Sequence, residues 1–98
     1  MCAEIFHRHG LRWQYEPETF TLRVDEDGRV RDAFSPDFYL PDLDLYIEVT
    51  VQRSKHLDRK RAKIRQLRAL HPELRVILLT RGEIEDLASR YGYAVPAA

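Results

Sequence analysis

Two carboxylates stand where an extended chain would bring them together. Asp37 opens a short segment, Asp37-Phe38-Tyr39-Leu40, bracketed by Pro36 and Pro41. Each proline lacks a ladder donor, so the segment is extended or at a sheet edge. Glu48 lies inside an alternating run in which Leu43, Leu45, Ile47, Val49 and Val51 interleave with Asp44, Tyr46, Glu48, Thr50 and Gln52. A strand over Leu43 to Gln52 puts the apolar set on one face and the polar or amphipathic set on the other. Neighbouring strands run about 5 Å apart, so pairing of the two segments makes Asp37 and Glu48 converge. Two carboxylates in a half-buried place repel unless a cation lies between them, and hard oxygen ligands of this type suit Mg²⁺. The plainer alternative has Asp37 capping the turn after Ser35-Pro36 and Glu48 solvated on its strand.

A second chemical signal is charge. Acidic and basic residues number 16 each, yet residues 1–50 hold 11 acids and 5 bases, and residues 51–98 hold the reverse. Arg53, Lys55, Arg59, Lys60, Arg61, Lys63, Arg65 and Arg68 face only Asp58 across that stretch. Such a stripe reads as an anion-binding surface, with nucleic acid the obvious polyanion; its plainer alternative is a solvated helix face.

The elements that position these groups follow from local pattern. Cys2, Ile5, Phe6 and His9 fall at helical spacing and Gly10 supplies a stop. Leu11 to Tyr15 and Thr19 to Val24 are aromatic and β-branched, and Asp25-Glu26-Asp27-Gly28 turns the chain into Arg29 to Phe34, a β-hairpin. Ser54 caps a helix running to about Leu70, which His71-Pro72 ends. On that helix Leu57, Ile64, Leu67 and Leu70 span the arc that faces the sheet. Lys60 falls within the arc, Lys63 lies between Leu67 and Leu70, and Arg61, Arg65 and Arg68 fall outside. Arg75 to Leu79 is a continuous apolar strand covered on both faces. Thr80-Arg81-Gly82-Glu83 has capping-box spacing, followed by an Ile84, Leu87, Ala88, Tyr91 stripe. Tyr93 to Val95 makes a last edge strand. The expectation is an α/β fold, a mixed sheet flanked by helices.

The chain has 98 residues, 44% hydrophobic and 33% charged, which fits one domain over residues 1–98 and excludes disorder. With a single cysteine, Cys2, there is no internal disulfide and no thiolate zinc cluster. No apolar run approaches the roughly 20 residues of a membrane span, and the opening residues lack a basic start with an apolar stretch. A cytoplasmic protein without a membrane partner is expected.

Ser-Pro-Asp-Phe-Tyr-Leu-Pro at 35–41, followed by Tyr46-Ile47-Glu48-Val49-Thr50, resembles the PD-(D/E)XK nuclease superfamily, the restriction-endonuclease-like fold with its αβββαβ core. Gly10 to Phe20 also resembles the segment before that motif in small members, relatives of the very-short-patch-repair endonucleases among them. The resemblance implies an Mg²⁺- or Mn²⁺-dependent endonuclease acting on DNA, with Asp37 and Glu48 as metal-binding acids and the carbonyl of Val49 as a third protein ligand. It also implies Glu4, on the first helix, as an acid completing the site, against a plain Glu4–Arg8 surface pair.

Thr50 departs from the family, which has lysine there to orient water and offset developing charge. Either the domain has lost turnover and only binds, or another cation has taken over. A lysine aimed at a sheet needs a carboxylate or a wet cleft, which makes Lys60 the preferred replacement, Lys63 the second and Lys55 the third. Gln52 extends the Glu48–Thr50 face toward a phosphate or water. Arg53, Lys55, Arg59, Arg61, Arg65 and Arg68 are the expected phosphate contacts, which fix position and not base sequence.

The remaining candidates are weaker. His7 and His9 point to different helix faces, and His56 and His71 sit at helix ends, so no histidine metal site is expected. Trp13 and Tyr15 are assigned to the core, while Tyr39 and Tyr46 border the proposed site. Asp42 and Asp44 read as loop acids, with Asp44 kept as an alternative second-metal ligand. Two other function classes compete with the nuclease: a nuclease-fold module that binds nucleic acid without cleavage, and a symmetric homodimer pairing the oppositely charged halves.

Overall fold

The computed structural model describes residues 2–51 and 56–91. Along these, the order is α1 (Cys2–Arg8), β1 (Gln14–Tyr15), β2 (Phe20–Val24), β3 (Val30–Phe34), β4 (Phe38–Leu40), β5 (Leu45–Val49), α2 (Leu57–Leu70), β6 (Val76–Leu79) and α3 (Arg81–Tyr91). Helix α1 buries Ile5 and Phe6 and ends on Gly10 in the left-handed region, φ 70°. There the Leu11 amide bonds the Phe6 carbonyl at 2.9 Å and the Gly10 amide bonds that of His7 at 3.1 Å, the paired closure that glycine permits.

The strands form two sheets. One is four-stranded, in the order β1-β4-β5-β6, and the other is the β2-β3 hairpin. Strands β1, β4 and β5 pair antiparallel, and β5 pairs parallel with β6 through α2, so the larger sheet is mixed. The hairpin turn is held by Asp25, whose Oδ1 accepts from the amides of Asp27 and Arg29, both at 2.9 Å, with Gly28 at φ 82° closing it. Those bonds, that to Arg29 foremost, hold the Asp25 carboxyl below its usual range.

Each face of the four-stranded sheet carries its own core. On one side Ile5, Phe6, Phe38, Leu40, Leu45, Ile47, Ile84 and Ala88 pack α1 and α3 against β4 and β5. On the other, Phe20, Leu22, Phe34, Tyr46, Ile64, Leu67 and Val76 join the hairpin and α2 to β5 and β6. Helix α3 starts with the expected capping box: the Thr80 amide donates to Glu83 Oε1 at 3.0 Å and the Glu83 amide to Thr80 Oγ1 at 3.3 Å.

Several expectations are corrected. The strand around Glu48 runs only from Leu45 to Val49, and Val51, assigned to its apolar face, is 77% exposed. Its second face carries the expected Tyr46, Glu48 and Thr50, buried beneath the hairpin and α2. Leu70, assigned to the sheet-facing arc, is half exposed; the helix has passed the sheet there. Trp13 and Tyr15, assigned to the core, are 40% and 57% exposed, since β1 is a two-residue edge strand with little to cover it. The expected cap Ser54 and edge strand Tyr93 to Val95 lie outside the described residues; α2 starts with His56 at its N-cap. No helix among the described residues is long and apolar enough to cross a membrane.

Candidate functional site

Period-two alternation places Asp37 and Glu48 on the same face. Phe38 pairs with Ile47, both in the α1–α3 core, so the residues flanking this pair, Asp37 and Glu48, fall on the α2 side. Their contact is direct and runs through the backbone. The Asp37 amide donates to Glu48 Oε1 at 3.2 Å, and Asp37 Oδ2 accepts the Val49 amide at 2.8 Å. Each carboxylate thus secures the strand that carries the other. Glu48 is 7% exposed, which rules out the solvated alternative.

Helix α2 brings a cation to the same place. Lys60 Nζ lies 2.7 Å from the Val49 carbonyl oxygen and 3.3 Å from Glu48 Oε2. Burial first, then the charge of Asp37, push the Glu48 carboxyl up to about 7, against the downward pull of Lys60. A carboxyl with that affinity for protons is poised to exchange one near neutrality.

Lys63 points one helical turn further along, to the hairpin. Its Nζ donates to the Ala33 carbonyl at 3.1 Å and lies 3.2 Å from Asp32 Oδ1. The second-choice lysine thus ties α2 to β3. Thr50 is buried at 8%, its hydroxyl donating to the Val51 carbonyl at 3.3 Å and its amide to Leu79 at 2.9 Å. That hydroxyl proton is directed to the backbone.

Glu48, Arg59, Lys60 and Lys63 line an open cleft of about 260 Å³ with Ser35 and His56. Three cations and one carboxylate give it a net preference for an anion. Arg59 also lines the adjoining cleft with Asp32, Lys63 and Gln66. Arg61 and Arg65 are exposed on the outer surface of α2. Arg68 lies near the far end of the helix, its guanidinium on the Val76 carbonyl. Gln52, Arg53 and Lys55 lie outside the described residues.

The sequence pattern does not single out Ser35 and His56 as site residues. Ser35 stands two residues before Asp37, a spacing that puts it on the same face of an extended segment; His56 carries no such signal. Glu4 is exposed on α1, and its neighbour in the plain alternative, Arg8, bonds Glu85 of α3. Asp44 is at the other end of β5 from Glu48, four residues or about 13 Å away along a strand. It adopts φ 48° and accepts the Tyr39 hydroxyl at 2.8 Å, so a shared metal with Glu48 is ruled out. Tyr46 is buried, with its hydroxyl on Glu18 Oε2 at 3.0 Å, and offers no open face to a strand.

Among the described residues no three His, Cys, Asp or Glu side chains gather closely enough to hold a metal ion. The oxygens that do gather are Asp37, Glu48 and the Val49 carbonyl, all hard donors of the kind Mg²⁺ and Mn²⁺ take. Two of them, Glu48 Oε2 and the Val49 carbonyl, carry the Lys60 ammonium.

Comparison of the chain with protein-family models, curated proteins and solved structures finds no match.

Proposed function

We propose that this chain is a metal-dependent endonuclease domain of the PD-(D/E)XK type acting on DNA, with Lys60 supplying the cation that the motif strand lacks at Thr50. The observation that carries this reading is the meeting of Asp37, Glu48 and Lys60 at the end of β5, where Asp37 accepts the Val49 amide and Lys60 bridges the Val49 carbonyl and Glu48. The mixed sheet, with the motif on paired strands β4 and β5 and the helix after β5 covering it, agrees with a restriction-endonuclease-like core.

The donor set fits Mg²⁺ or Mn²⁺, held by Asp37, Glu48 and the Val49 carbonyl. Bound there, the ion would supply Lewis-acid activation of a water and of the phosphodiester. The chain's own groups do the rest. Asp37 is kept in aim by the Val49 amide, Lys60 offsets charge that develops on the phosphate, and Arg59 and Lys63 flank the cleft that receives it. Arg59, Arg61, Arg65 and Arg68 are phosphate contacts along α2, giving position without base specificity.

One feature favours a second reading. An ammonium on Glu48 and on the Val49 carbonyl already supplies a positive charge where the metal would, which suits a module that binds nucleic acid without cleaving it. Titration of Mg²⁺ and Mn²⁺ by calorimetry, with cleavage assays on plasmid and branched DNA, separates the two. Metal binding and cleavage that both vanish in Glu48→Ala support the nuclease. Salt-sensitive DNA binding with neither metal uptake nor cleavage supports the binding module.

A further inference from the structure

Trp13 and Tyr15 stand two residues apart at the β1 edge of the four-stranded sheet, and both rings meet Phe38. The Trp13 and Phe38 centroids are 6.2 Å apart at 81°, those of Tyr15 and Phe38 5.6 Å apart at 60°. One buried ring thus props two exposed ones. Single exposed aromatics are common; two side by side form a shelf, and burying large rings on association is strongly favourable.

A groove of about 670 Å³ opens beside Trp13, lined by His7, Arg12, Gln14 and Pro41 among others, with no carboxylate among its described lining residues. Its volume is that of a small-molecule site, ample for a nucleobase. Arg12, exposed beside the ring, is oriented by Asp42, with Nη2 2.7 Å from Oδ1.

The shelf lies on the α1–α3 side of the sheet with Phe38, the Asp37 and Glu48 carboxylates lie on the α2 side, and the two meet around the β1 edge. Tyr15 pairs with Phe38, and the amide of Glu16 donates to the Asp37 carbonyl at 2.8 Å. Trp13 is three residues, or about 10 Å along a strand, from that bond, a distance spanned by a few nucleotides at most. The Tyr15 hydroxyl feels the same neighbourhood: Glu16 chiefly, and also Asp37, raise its pKa.

We propose that the Trp13–Tyr15 shelf stacks unpaired bases of a DNA strand whose backbone continues around the β1 edge to Asp37 and Glu48, so that the preferred substrate is single-stranded or frayed DNA and not an intact duplex. The bases of a duplex are stacked on one another and offer no face to such a shelf, whereas any unpaired base does. The direction of the strand rests on reading Asp37 and Glu48 as the phosphodiester site.

Trp13 is the only tryptophan in the chain, so its fluorescence reports on the shelf alone. The full chain, in chelator, is titrated with a thymidine oligonucleotide and with a duplex of equal length. Quenching by the single strand at about 10-fold or more lower concentration than by the duplex is expected. Trp13→Ala and Tyr15→Ala, followed by anisotropy of a labelled strand, should each weaken binding about 10-fold, and Trp13→Phe should restore most of it.

Equal or tighter duplex binding, no quenching by either DNA, or unchanged affinity in Trp13→Ala overturns the proposal. A dimer that depends on Trp13 and binds no DNA would also overturn it, assigning the shelf to a second copy. Quenching without cleavage under any metal leaves the stacking intact and rejects the nuclease. Duplex cleavage indifferent to Trp13→Ala does the opposite.

Discussion

Lys60 and Val49 are joined by a 2.7 Å hydrogen bond from the ammonium to the main-chain carbonyl oxygen. The bond crosses from α2 to the end of β5, and it brings the same ammonium within 3.3 Å of Glu48. A single lysine thereby answers the negative charge of a buried carboxylate and a carbonyl left free at a strand end. A metal ion would compete for both oxygens.

Replacing Lys60 should therefore separate metal uptake from turnover. Lys60→Met should lower cleavage by about 10²- to 10³-fold, the loss typical of one positioned charge. Mg²⁺ should bind no more weakly, and Mn²⁺ likewise, because the competing ammonium is gone. Lys63→Ala should lower cleavage by less than Lys60→Met, since that lysine flanks the cleft but is engaged by Asp32 and Ala33. Calorimetry beside a cleavage assay checks this; equal loss in both variants rejects the assignment of Lys60.

Asp37 has a structural duty apart from any metal, because its Oδ2 accepts the Val49 amide. Asp37→Ala leaves that half-buried amide without its acceptor and should lower stability by about 1–3 kcal/mol. Asp37→Asn keeps an oxygen there and should stay near wild type in urea unfolding while still losing cleavage. If both unfold alike, the bond contributes nothing measurable.

The Glu48 carboxyl, up from 4.5 to about 7 in the fold, sets a pH window. Between these values the native protein holds a proton that the unfolded chain has released, so stability falls as pH rises through the window and levels off above it. In chelator the fall should be about 1–3 kcal/mol, read as a shift in urea midpoint between pH 4.5 and 8. Glu48→Gln should flatten it. A wild type whose midpoint rises over this range, or an unchanged slope in the variant, contradicts the sign.

At the start of α3, Thr80 and Glu83 satisfy each other's backbone amides, and the Thr80 amide first, then its hydroxyl, both donating to Oε1, hold the Glu83 carboxyl below its usual range. Thr80→Ala should cost about 1 kcal/mol of stability, with cleavage unchanged because the cap does not touch the cleft. Thermal melting followed by circular dichroism measures it.

Much of this site is legible in the sequence. The alternation through Glu48 and the prolines around Asp37 put the two acids on adjacent extended segments, and the helical wheel singles out Lys60. Gly10 and the Thr80–Glu83 spacing mark a helix end and a helix start. These are local signals, each carried by a few neighbouring residues. What is not legible depends on distant packing. The polar side of β5 reads as half-buried beneath a helix, but that Phe20 and Phe34 of the hairpin also cover it is not visible from the strand itself. Trp13 and Tyr15 depart from expectation for the converse reason: their chemistry suits a core, but an edge strand of two residues has none to offer.

The hairpin shares no ladder bond with the four-stranded sheet among the described residues; it is fastened through side chains, Phe20 and Leu22 to α2 and Lys63 to Ala33 and Asp32. Native-state hydrogen exchange should therefore divide the molecule into two cooperative units. Amides of β2 and β3 should exchange through a partial opening, ahead of those of β4 and β5. Such an opening uncovers Glu48 from the hairpin side without disturbing the strand pairing that joins it to Asp37.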